Sequence, residues 1–123
     1  MKFDDSIPIY LQIKEEIENA IITNSIREEE AIPSIRVLAQ QYRLNPQTVS
    51  NAVSELLSEG LLFKKRGIGM FVQKGARQML RTKKIEDYLD TEIRKIFLKG
   101  KQLGISKEDL IGIMNKVYQE KGE

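Results

Sequence analysis

The chain has 123 residues, 41% hydrophobic and 31% charged, which fits one compact domain with a short appendage and excludes a disordered chain. It holds neither cysteine nor histidine, which removes disulfides, thiolate chemistry, most zinc sites and most nucleophile–base pairs. Net charge is only +2, yet Ala31–Lys84 carries ten cations against Glu55 and Glu59, so that stretch is +8 and the remainder −6, the distribution of a chain with an anionic partner.

No Asp or Glu pair sits in a recognisable catalytic frame, so no enzyme activity and no cofactor or metal is expected. No apolar run approaches the roughly 20 residues of a membrane span. The start, MKFDDSIPIYLQ, is too acidic and too broken for a secretory signal, so a cytoplasmic location is expected.

In chain order, the first helix is expected at about 8–24. Pro8 suits its first turn, and Ile9, Ile13, Ile17, Ala20 and Ile21 form one stripe. Residues 26–32 read as a charged connector. Ser34 is an N-cap for a second helix over about 35–42, with Leu38, Ala39 and Tyr42 facing inward. Asn45 followed by Pro46 starts a third helix over about 46–58, whose inner face is Val49, Ala52, Val53, Leu56 and Leu57. Gly60 ends it. LLFKK and MFVQK then flank RGIG, which predicts a β-hairpin. Glycines that cradle a nucleotide phosphate should open a helix and carry a third glycine, so nucleotide binding is disfavoured. A long helix is expected over about 77–101 and a last one over about 107–120, started by Ser106 with Asp109 at capping-box spacing.

Two helices joined by a short turn, the second polar on its outer face, make a helix-turn-helix. Gln47, Ser50, Asn51 and Ser54 point outward; Gln and Asn can bond adenine edges in the major groove, and Ser several base edges. Thr48 and Ser50 place hydroxyls near a helix N-terminus, where phosphate is favoured. Arg36 could reach a phosphate or a guanine. No acid lies between residues 31 and 54. The hairpin then becomes a wing, with Lys64, Lys65 and Arg66 beside the groove and Gly67 and Gly69 allowing close backbone approach.

The stretch PSIRVLAQQYRLNPQTVSNAVSELLSEGLLFKKRGIGMFV, residues 33–72, resembles the winged-helix domain of the GntR family of bacterial transcription regulators. The resemblance rests on Pro33, Ser34, Arg36, Leu38, Ala39, Tyr42, Asn45, Thr48, Val49, Ala52, Leu56, Gly60, Leu61, Arg66, Gly67, Gly69, Phe71 and Val72, and extends over about 7–75 with the first helix. It implies DNA contacts from Arg36, Thr48, the start of the recognition helix at Asn45 and the wing glycine Gly67. Pro46 and Gln47 depart from the hydroxyl or basic residues of many members, and Met70 replaces the usual Ser or Thr.

The resemblance implies a fold that is mainly α with a small β-hairpin: a winged helix-turn-helix over 1–75 and a two-helix dimerisation or effector segment over 76–123. So short a C-terminal segment resembles the small YtrA-type subfamily, whose members pair through two C-terminal helices and often repress transport operons. The apolar side chains left over agree, because such a patch in water is costly. Ile93, Ile96, Phe97, Leu110, Ile113, Met114, Val117 and Tyr118 are the dimerisation candidates. The expected function is a homodimeric, sequence-specific DNA-binding regulator, a repressor on a palindromic operator, with double-stranded DNA and a small-molecule effector as further partners. Two alternatives stand beside it: a winged-helix protein–protein interaction module, and a small-molecule sensor built on the C-terminal helices.

Overall fold

A computed structural model describes residues 2–122. The chain divides into one compact unit ending at Thr82 and another beginning at Lys83.

In the first unit, α1 spans Ile9–Ile22. Pro8 lies just outside as the N-cap rather than inside the first turn; its carbonyl accepts from Leu11 N at 3.1 Å. The preceding segment is tied down by Gln12, whose Nε2 donates to the carbonyls of Asp4 (2.7 Å) and Ile7 (2.8 Å). Ile13, Ile17 and Ile21, one helical turn apart, are buried. The next helix, α2, spans Ile35–Tyr42 and starts where Ser34 Oγ accepts from Val37 N at 3.2 Å. It stops at Arg43, which turns left-handed at φ 55°. Two residues later Asn45 Oδ1 accepts from Gln47 N at 2.8 Å, and Pro46 opens α3, Pro46–Ser58. Leu38 and Ala39 of α2 meet Val49, Ala52, Val53 and Leu56 of α3 in the same core as α1.

Strands β1 (Leu62–Lys65) and β2 (Gly69–Val72) pair antiparallel, with Leu62 opposite Val72 and Phe63 opposite Phe71. Leu62, Met70 and Val72 turn into the core. The connector expected over 26–32 does more than link helices. Glu29 N donates to Val72 O (2.7 Å), Val72 N to Glu30 O (3.0 Å) and Ile32 N to Met70 O (2.9 Å), and Ala31 bridges Phe71. The hairpin edge is thereby covered, and Ile32 is buried. Charge along REEE hid this pairing, because a short edge needs only backbone groups to join a sheet.

Helix α4 spans Ala76–Tyr88. Its first turn is held by Glu28, whose carboxylate accepts from Arg77 N at 3.1 Å, while Arg77 Nε donates to Ile22 O at 2.8 Å. Ala76 and Leu80 are buried in the first core; this is why the first unit runs to Thr82 rather than ending at residue 75.

The second unit opens with the end of α4 and continues through a π-helical turn, Leu89–Ile93, into α5, Arg94–Gln102. The expected single helix over 77–101 is thus interrupted. Thr91 Oγ1 donates to Asp87 O at 2.7 Å, a back-bond of the kind that bends helices. The chain reverses at Gly104 (φ 77°), with Ile105 N donating to Gly100 O at 3.0 Å. Ser106 Oγ then accepts from Asp109 N at 3.0 Å and starts α6, Lys107–Gln119. A Cβ added to Gly100 would touch Leu110 Cδ1 at 3.5 Å, so α5 and α6 pack closely there.

Candidate nucleic-acid interface

The outer face of α3 is assembled by its caps. Asn45 commits Oδ1 to the helix N-terminus. Gln47, Asn51 and Ser54 are exposed, whereas Thr48 and Ser50 are half-buried. Gln47 Nε2 donates to Asn51 Oδ1 at 3.0 Å, a bond one helical turn long that joins two of the outward amides. Arg36, the second residue of α2, is also exposed.

The two acids of α3 are turned to the other side. Lys14 of α1 lies 3.3 Å from Glu55 Oε2 and 2.9 Å from Glu59 Oε1. Burial alone pushes the Lys14 ammonium down, but its bonds to Glu59 and Glu55 outweigh that and hold its pKa above the ordinary lysine value. The acids of the basic segment are therefore matched internally, and the outer face of α3 carries amides and hydroxyls.

At the wing, Ile68 N donates to Lys65 O at 3.0 Å and closes a turn over Arg66 and Gly67. Gly67 has φ 78° and Gly69 φ 146°, conformations in which a side chain is strained. Lys64, Lys65 and Arg66 are exposed. Cross-strand Phe63 and Phe71 stack with centroids 5.6 Å apart, and Lys65 Nζ sits 4.8 Å from the Phe71 centroid. This cation–π contact fixes one wing cation. Sequence reading did not single out this aromatic pair, although placing both residues on opposite arms of a hairpin makes them neighbours. Ile68 at the tip is 73% exposed, while Met70 is buried in the core.

The second unit has a different surface. Ile96, Phe97, Ile113, Met114, Val117 and Tyr118 are exposed, and Ile93 and Leu110 half-buried. Phe97, Ile105, Leu110, Ile111 and Met114 line a groove of about 540 Å³, with Lys101 and Lys107 also on it. Among the described residues no helix is long and apolar enough to cross a membrane.

Over residues 9–72 the chain matches the family described as "Bacterial regulatory proteins, gntR family". The chain belongs to the GntR family. It is 32% identical over 123 residues to the uncharacterized HTH-type transcriptional regulator YhcF of Bacillus subtilis, covering 98% of each chain. It is 29% identical over 105 residues to the HTH-type transcriptional repressor YtrA of the same organism, covering 85% of this chain and 80% of that one. These small relatives agree with the YtrA-type resemblance. Among solved structures, a GntR family transcriptional regulator from Listeria monocytogenes is 30% identical with a TM-score of 0.73, covering 93% of this chain and 98% of that one. The DNA-binding domain of AraR, solved in complex with operator ORE1, is 34% identical with a TM-score of 0.52 and covers 58% of this chain and 89% of its own. This GntR chain is thus a DNA-binding transcriptional regulator with the expected winged helix-turn-helix, mainly α with one hairpin.

Proposed function

We propose that this regulator acts as a homodimeric repressor, each subunit placing α3 in a major groove of a palindromic operator and its wing against the adjacent backbone. The observation that carries the reading is the separation of charge around α3: Glu55 and Glu59 face Lys14, leaving an acid-free outer face between Arg36 and the wing cations. Gln47, Ser50 and Asn51 are the base readers. Thr48, the Asn45-capped helix start, Arg36, Lys64, Lys65, Arg66 and the backbone at Gly67 and Gly69 hold phosphates and set the register.

The exposed apolar faces of α5 and α6 support pairing with a second copy, since a patch of that kind in water is unfavourable. Two-fold symmetry then matches an inverted repeat with half-sites about 34–36 Å apart. The 540 Å³ groove falls within the usual range for small-molecule sites, about 300–1,000 Å³. Because Phe97, Leu110 and Met114 line this groove and also belong to the pairing face, an effector bound there acts on the pairing itself and so on the separation of the two reading heads. The site of action is the cytoplasm, and the regulated genes are those of a transport operon.

The test is selection of bound duplexes from a random pool at about 150 mM salt, where non-specific phosphate binding is weak. Enrichment of an inverted repeat is expected. A folded protein that enriches no sequence overturns the reading and leaves the wing as a basic hairpin on a protein-interaction module.

A further inference from the structure

Gln47 and Asn51 are both exposed, so each amide has water as an alternative partner, yet Gln47 Nε2 donates to Asn51 Oδ1 at 3.0 Å. Gln47 is also pinned through its backbone, since its N–H donates to Asn45 Oδ1 at 2.8 Å. A side-chain amide carries two donor hydrogens and an oxygen with two lone pairs. The shared bond uses one hydrogen of Gln47 and one lone pair of Asn51. What the pair keeps includes the acceptor Oε1 of Gln47 and the donor Nδ2 of Asn51. Adenine shows the complementary set in the major groove, the donor N6–H₂ beside the acceptor N7. Guanine shows two acceptors at that edge, and the oxygen of Gln47 repels one of them.

From this geometry we infer that Gln47 and Asn51 read DNA as one unit directed at a single adenine, rather than as two independent readers. The inference rests on α3 entering the major groove. Either side chain alone loses its orientation: without Gln47 the Asn51 amide rotates freely, and without Asn51 the longer Gln47 side chain returns to its open rotamers. The two substitutions therefore act on one base pair and are non-additive.

The experiment uses the full chain as wild type, Gln47→Ala, Asn51→Ala and the double variant. Each is put through duplex selection, and affinities are then measured for the selected duplex and for the same duplex with each base pair changed. Circular dichroism is expected to be unchanged in all four, since both side chains are exposed. Each single variant is expected to lose about tenfold discrimination at the same A·T pair, and the double variant about tenfold again in total rather than about 100-fold. Multiplicative losses, or losses at two different pairs, overturn the coupled unit while leaving α3 as the reading helix. A shared pair that is G·C overturns the adenine assignment. Unchanged discrimination in every variant overturns both the unit and base reading by these residues.

Discussion

The unit ending at Thr82 and the unit beginning at Lys83 are built from similar proportions of apolar residues and treat them in opposite ways. Among the described residues every buried hydrophobic side chain lies at or before Leu80, while beyond it only Gly100 is buried. In the first unit, helical stripes from α1, α2 and α3 and the inner face of the hairpin converge on one centre. In the second, α5 and α6 meet at Gly100 and Leu110 and leave Ile96, Phe97, Ile113 and Val117 outside. The difference lies in how many surfaces converge: several elements enclose the core of the first unit, whereas the second has one helix pair. Two short helices have an inner seam and little else, so the remaining apolar faces are available for another molecule.

The strongest way to break this contrast is to truncate one leucine on each side. Leu56→Ala, at a position with no exposure, is expected to cost about 2–5 kcal/mol of unfolding free energy. Leu98→Ala, at 51% exposure, is expected to cost under about 0.5 kcal/mol in dilute protein. Equal losses in urea titrations of the two variants would mean that the second unit carries a core of its own.

Next in size is the test of pairing. Met114→Asp places a charge on the exposed face of α6; the proposed pairing predicts that wild type sediments as a dimer and the variant as a monomer. Affinity for the selected inverted repeat should fall about 100-fold, as the linked second half-site is lost, with the melting of the first unit unchanged. A dimer that persists in the variant locates the pairing surface elsewhere.

The ion pairs that turn the acids of α3 inward give a smaller effect. Lys14→Met leaves Glu55 and Glu59 partly buried without their cation, and a loss of about 1–2 kcal/mol is expected, between the values for surface and buried pairs. Because folding raises the Lys14 pKa, the contribution is fully present below the ordinary lysine value and disappears as pH rises beyond it. The melting temperatures of wild type and variant should therefore differ at pH 7, begin to approach each other at the ordinary lysine value of about 10.4, and converge only as pH rises through the higher folded-state pKa. A difference that stays constant through that range would show that packing of the lysine stem, not charge, carries the effect.

The smallest expected change separates the wing from the reading helix. Arg66→Ala should weaken binding to all duplexes alike and lower the salt slope by about one, leaving site preference intact. A slope equal to that of wild type would remove Arg66 from the phosphate contacts.

Local chemistry made much of the fold legible. Ser34 and the Asn45–Pro46 pair place α2 and α3 at the bounds expected from sequence, because a cap is a contact between residues two or three apart. Gly67 marks the wing turn for the same reason. The candidate readers were legible as the polar face left over once the apolar stripe of α3 was assigned. What was hidden depended on distant partners. The pairing of 29–32 with β2, the Lys14 bonds to Glu55 and Glu59, and the grip of Glu28 on the start of α4 each join residues from separate elements. The π-helical turn at Leu89–Ile93 had no glycine or proline to announce it.

By itself the sequence determined where helices start and stop, which faces are apolar, and the resemblance on residues 33–72, since all of these follow from near neighbours and periodicity. Tertiary structure alone decided which apolar faces find a core and how far the first unit extends. Those outcomes are competitions between partners. A side chain's burial or bond depends on which surface reaches it first in space, and spacing along the chain does not carry that information.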